Sequence, residues 1–199
     1  MADSKPALEN FEIVKCGPYR FVGKSVYARS GASDNDRGSG DLFGALWKQS
    51  DWVFEELDNL SAYASDEPHK AALITWDAYT PEDKQLYGIT VGKTQLLGYC
   101  VGKFMKAGTP VPAGCDYIDI PAGVAAKGWT KGKKYDEDLD GFIRDKIEQS
   151  GIYKQASWRF MAEIYPEPDE NGIPTFGYYI SCQPLSKKEK AKLAKEKRK

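Results

Sequence analysis

Apolar and polar residues alternate along FEIVKCGPYRFVGKSVYAR (11–29), which predicts extended chain broken at Gly17-Pro18. A polar loop, SGASDNDRGSG (30–40), follows. Asp41 is placed to cap a helix whose apolar positions are Leu42, Phe43, Leu46 and Trp47. Ser50-Asp51 restarts it, adding Trp52, Phe54, Leu57 and Leu60 at helical spacing. AALITWDAY (71–79) predicts a strand, and LYGITVG and LLGYCVGKF one or two more. KAGTPVPAG (106–114) then reads as a Pro/Gly linker.

After the linker the order of elements recurs. DYIDIP and GVAAKGWTKG are extended, and DEDLDGFIRDKIEQSG (136–151) is a helix. Its first turn is acidic, its stripe is Leu139, Phe142, Ile143 and Ile147, and Gly151 ends it. A strand over 157–166, a turn at Asn171-Gly172 and a strand over 175–182 close the pattern. Short segments of the halves align: GKSVYARSG over AAKGWTKGK pairs Tyr27 with Trp129, and ITWDAY over FMAEIY pairs Asp77 with Glu163. LGYCV over FGYYI completes the match. The predicted fold class is α+β. Two β-α-β-β halves, about 11–105 and 112–184, form an antiparallel sheet with helices on one face, inside a single domain at 8–185.

The strand WRFMAEIY (158–165) holds a carboxylate among aromatic and aliphatic neighbours. Strand periodicity puts Trp158, Phe160, Ala162 and Ile164 on one face and Arg159, Met161, Glu163 and Tyr165 on the other. The first set suits a helix-covered core, which places Glu163 on the uncovered face. In the next strand the corresponding sets are Phe176, Tyr178 and Ile180 against Gly177, Tyr179 and Ser181. The second set is small apart from Tyr179 and leaves room beside Glu163. Two readings stay open: a solvated glutamate on an open sheet, or a pocket floor walled by Tyr165, Tyr179, Trp129 and Tyr27. A desolvated carboxylate in such a pocket favours cationic or hydrogen-bond-donating ligands.

Composition narrows the function classes. With 12 Tyr and 5 Trp the chain can offer flat apolar walls with polar tips. The net charge of −1 hides an asymmetry: KKEKAKLAKEKRK, the last thirteen residues, carries +6 and the remainder −7. The tail, 186–199, is expected to be disordered. No apolar run is long enough for a membrane span and the opening MADSKPALEN holds no apolar signal segment, so a cytoplasmic location is expected. The four cysteines are widely spaced and His69 is the sole histidine, which argues for packed thiols and against a metal site. GITVGKT (88–94) has three residues between its glycines where a P-loop needs four, and strand pattern follows it. No cofactor is expected.

The duplicated halves, VGKSVYAR, IPAGVAAKGW and above all AEIYPE followed by GYYI resemble the gyrase-inhibitor-like small-molecule-binding superfamily, the effector-binding domain fused to AraC- and MerR-type regulators. The resemblance covers about 11–183. It implies pseudo-twofold symmetry and a ligand groove between the halves, on the sheet face away from the helices, with an acidic residue in its floor. Glu163 matches that residue by its strand context. Together with the pocket walls read from the strand pattern, the expected ligand-binding set is Glu163, Tyr165, Tyr179, Trp129, Tyr27 and Met161, taking a small hydrophobic or cationic ligand. Members also include a gyrase inhibitor and hydrolases of cyclopropane-bearing genotoxins. The alternatives to a binding protein are therefore a hydrolase using Glu163 and Tyr165, and an inhibitor that binds a protein partner. The chain carries no helix-turn-helix, so direct DNA binding is not expected.

Overall fold

The computed structural model describes residues 10–29, 42–76, 96–131, 139–156 and 160–196. The loop 30–40, Asp41, Asp77, Tyr79, the segment 81–94, Trp158 and Arg159 lie outside the described residues.

In chain order the elements begin with β1 (Asn10–Cys16), β2 (Tyr19–Arg29), α1 (Leu42–Lys48), α2 (Asp51–Asn59), β3 (Lys70–Trp76), β4 (Leu96–Lys106) and β5 (Asp116–Ile120). They continue with β6 (Gly123–Lys131), α3 (Leu139–Gln149), β7 (Tyr153–Gln155), β8 (Phe160–Tyr165), β9 (Thr175–Pro184) and α4 (Lys187–Glu196). The fold class is α+β with antiparallel pairing, as expected. The chain forms two compact units, Pro18–Pro121 and Met1–Gly17 with Ala122–Lys199.

In the first unit the strands run β3-β4-β2-β5. Val53, Phe54 and Leu57 of α2 are buried at helical spacing, and Val53 and Leu57 cluster with Val22 and Met105 of the sheet. Phe104 takes Phe21 and Tyr19 edge-on, at centroid distances of 4.9 and 5.5 Å. Each buried aromatic of this kind contributes about 1.5–3 kcal/mol.

The second unit has the strand order β1-β6-β9-β8, with β7 pairing farther along β9. Leu139, Ile143 and Ile147, four residues apart, form the buried stripe of α3. Gly151 at φ 62° donates its N–H to the Glu148 carbonyl and ends the helix, as its position predicts.

The boundaries differ from the sequence reading. Only Gly17 and Pro18 separate β1 from β2, yet β1 pairs with β6. Likewise β5 runs to within two residues of β6 but pairs with β2. A period-two pattern identifies a strand and not its partner, so 10–16 could not be assigned to the second unit from the pattern. The basic tail also departs from expectation. Residues 187–196 are helical, because Ser186 and Glu189 form a reciprocal cap whose signature, Ser-x-x-Glu, stands in the sequence.

Candidate functional site

The site is built on the β8–β9 ladder. Glu163 stands directly opposite Tyr178, Met161 opposite Ile180, and Ile164 opposite Gly177. Cross-strand partners share a face, so Met161, Glu163 and Tyr165 lie with Phe176, Tyr178 and Ile180. Glu163 is 6% exposed. Its Oε2 accepts a hydrogen bond from Tyr165 Oη at 2.9 Å, and its Oε1 accepts one from Tyr178 Oη at 3.2 Å. The rings behind these hydroxyls are locked through Phe176, whose centroid is 5.1 Å from both Tyr165 and Tyr178. A buried carboxylate is costly unless hydrogen-bonded, and each bond to a charged acceptor returns about 1.5–3 kcal/mol. The aromatic lattice fixes where those bonds point.

This face is the one α3 covers. Arg144 of α3 donates from Nη1 to Gln155 Oε1 at 2.6 Å, and its Nη2 lies 3.8 Å from Met161 Sδ. Gln155 and Met161 both stand on the Tyr178 side of the sheet by register. Glu163 therefore lies on the helix-covered face and not on the open one. The alternation of 160–165 is as expected, but the helix covers the face of Met161 and Glu163 and not the opposite one. Residues 160–164 of β8 are all buried, so contrast between the faces carried no information.

Trp129 and Tyr179 occupy the opposite face. Trp129 pairs with Gly177 and Lys127 with Tyr179. The Trp129 ring lies so close over Gly177 that a Cβ there would sit 2.4 Å from it. Tyr179 meets Trp129 edge-on at 5.7 Å and takes Lys127 Nζ over its ring at 4.4 Å. The sheet thus separates the expected set. Glu163, Tyr165 and Met161 come together on one side; Trp129 and Tyr179 come together on the other. Tyr27 belongs to the first unit, is 43% exposed, and stands opposite Gly98.

Tyr27 opposite Gly98 and Trp129 opposite Gly177 are the same aromatic–glycine step in the two ladders. In the first unit Tyr99 stands opposite Ile74, where in the second unit Tyr178 stands opposite Glu163. Tyr99 there accepts from Trp47 Nε1 at 3.0 Å and stacks on Phe43 at 4.2 Å. Tyr178 is the residue that the sequence reading missed beside Glu163. The available signal was its hydroxyl, since a tyrosine in a core set needs a polar partner.

Among the described residues no helix is long and apolar enough to cross a membrane. No protein-family model matches the sequence, and no curated protein matches it. Solved structures do match. SAV2435, determined bound to tetraphenylphosphonium, has a TM-score of 0.53 at 9% identity, covering 87% of this chain and 94% of that one. The C-terminal domain of EcmrR gives 0.49 at 10% identity over 88% and 98%. An integron cassette protein from the mobile metagenome of Vibrio cholerae gives 0.47 at 10% identity over 88% and 97%. The likeness to SAV2435 is one of fold.

Proposed function

We propose that the protein is a small-molecule-binding domain of the gyrase-inhibitor-like type, and that Glu163 recognises apolar organic cations. The observation that carries this reading is the Glu163 carboxylate, 6% exposed, between two phenol hydroxyls on a face built from Phe176, Ile180 and Met161. A carboxylate ringed by aromatic side chains attracts a cation through charge and through the ring faces, and low exposure strengthens both. Apolar substituents on the cation match the apolar walls. Tyr165 is half-buried, so the ligand approaches from its side, at the end of β8. The shared fold of SAV2435, which was determined with a lipophilic phosphonium, supports the same class of ligand. Calorimetric titration with tetraphenylphosphonium and with neutral triphenylphosphine oxide tests it. Tighter binding of the cation supports the reading; equal affinity, or none for the cation, removes it.

A second reading is favoured by one distance. Tyr165 Oη and Glu163 Oε2, 2.9 Å apart, form a donor–acceptor pair able to pass a proton. In a hydrolase of strained rings, Glu163 takes a proton from water as the water attacks the ring carbon. The C–C bond opens, and Tyr165 supplies the proton to the leaving carbon. Mass spectrometry of a cyclopropane-bearing electrophile incubated with the protein distinguishes the readings. Recovery of intact compound supports binding, and a product heavier by one water supports hydrolysis.

A further inference from the structure

Of the basic last thirteen residues, 187–196 form a helix, α4, whose five lysines and two glutamates give it a net +3. At its start, Ser186 donates to Glu189 Oε2 from N at 2.9 Å and from Oγ at 2.6 Å, and the Glu189 N–H returns a bond to Ser186 Oγ at 3.3 Å. Glu189 Oε1 holds Lys154 Nζ at 2.5 Å, and Leu185 N donates to the Ile152 carbonyl at 2.8 Å. Glu189 and Leu193, one turn apart, are half-buried and line a cavity of about 270 Å³ with Tyr153, Lys154 and Leu185. These contacts fix the rotation of the helix. At 100° per residue, Lys187, Lys188, Lys190 and Lys195 then fan over an arc of roughly 160° away from that side, while Lys192 stands at the rim of the cavity. All five are exposed.

We propose that α4 is a nucleic-acid-binding surface that tracks the phosphodiester backbone without reading bases. Ammonium groups on flexible stems suit phosphates as point charges and lack the planar fork that reads base edges. From Lys187 to Lys195 the helix is roughly 12 Å long, and about seven duplex phosphates lie along that length. Leu193, the one large apolar residue of α4, faces the body of the unit, so the helix presents no apolar face to a bilayer. Its outer arc of lysines and alanines contains none of the aromatic or arginine anchors that protein interfaces use. The expectation against DNA binding rests on the lack of a helix-turn-helix, which reads bases; backbone tracking needs no such motif.

Fluorescence anisotropy of the full chain with a labelled 20-nucleotide strand, and with its duplex, tests this. Engaging about four phosphates, binding weakens roughly fiftyfold or more between 50 and 200 mM salt and is the same for unrelated base sequences. Lys188, Lys190 and Lys195 changed together to Gln lower affinity at least tenfold at 50 mM salt. Lys15, Lys48 and Lys146 changed together to Gln, an equal loss of exposed charge, alter it less than twofold. Equal losses in the two triple variants overturn the proposal, as does no binding at 50 mM salt. Preferential binding to phosphatidylserine vesicles or to polyglutamate overturns it as well.

Discussion

Tyr178 donates a hydrogen bond to Glu163 from the position directly opposite it in the β8–β9 ladder, Oη to Oε1 at 3.2 Å. Removing that donor while keeping the ring isolates what the bond contributes. Tyr178→Phe is expected to lower unfolding free energy by about 1–3 kcal/mol, because a buried carboxylate loses one of its donors. Tyr165→Phe is expected to cost less, since Tyr165 is half-buried and water can replace its hydroxyl. Urea denaturation of both variants measures this. A Tyr178→Phe protein as stable as the parent would show that the hydroxyl does not support Glu163.

The opposite face offers a steric test. A methyl group at Gly177 meets Trp129 Cε3 at 2.4 Å. Gly177→Ala should therefore destabilise the protein by about 1–3 kcal/mol through overpacking. The penalty should shrink when Trp129 is also replaced by Ala, since the obstructing ring is then gone. A double-mutant cycle with no coupling would mean that Trp129 does not rest on Gly177 in solution.

Much of the element order was legible because it depends on local pattern. The stripe Leu139, Ile143, Ile147 and the stop at Gly151 are both read from consecutive residues. The partner of β1 and the face of Glu163 were not legible in this way. Both depend on register between segments far apart in the chain, and a strand buried on both sides erases the contrast that would reveal it. The capping pair Ser186 and Glu189 was visible in the sequence but was outweighed there by the charge of the lysines around it.

The tail carries its own pH dependence. The bond to Lys154, and then the two from Ser186, hold the Glu189 carboxyl down at about 2, against an ordinary value of 4.5. A depressed carboxylate stabilises the folded form above its unfolded value and loses that effect as pH falls. Docking of α4 should thus be intact at pH 5 and weaken progressively between about pH 4.5 and 2. Amide exchange of 187–196 followed down this range checks it, with Glu189→Gln as the reference. Identical acid profiles for the two proteins would contradict the assignment.

The cysteines give a chemical readout of burial. Desolvation pushes the Cys100 thiol up to about 12 and the Cys182 thiol up to about 11. Thiolate, the reactive form, is then scarce at pH 8, and both sulfurs are shielded. Iodoacetamide at pH 8 should leave Cys100 and Cys182 unmodified in the native protein and alkylate all four cysteines in urea. Native labelling of Cys182 at the rate of an exposed thiol would mean that β9 is not covered as described.

The most direct test of the account is tetraphenylphosphonium affinity in Glu163→Gln, measured by calorimetry beside the parent protein. The substitution keeps the shape of the side chain and removes its charge. The account predicts a melting temperature within a few degrees of the parent and a loss of at least about 2 kcal/mol in cation binding, roughly thirtyfold. Affinity for triphenylphosphine oxide should stay within about twofold. Unchanged affinity for the phosphonium in a folded Glu163→Gln protein would contradict the central claim.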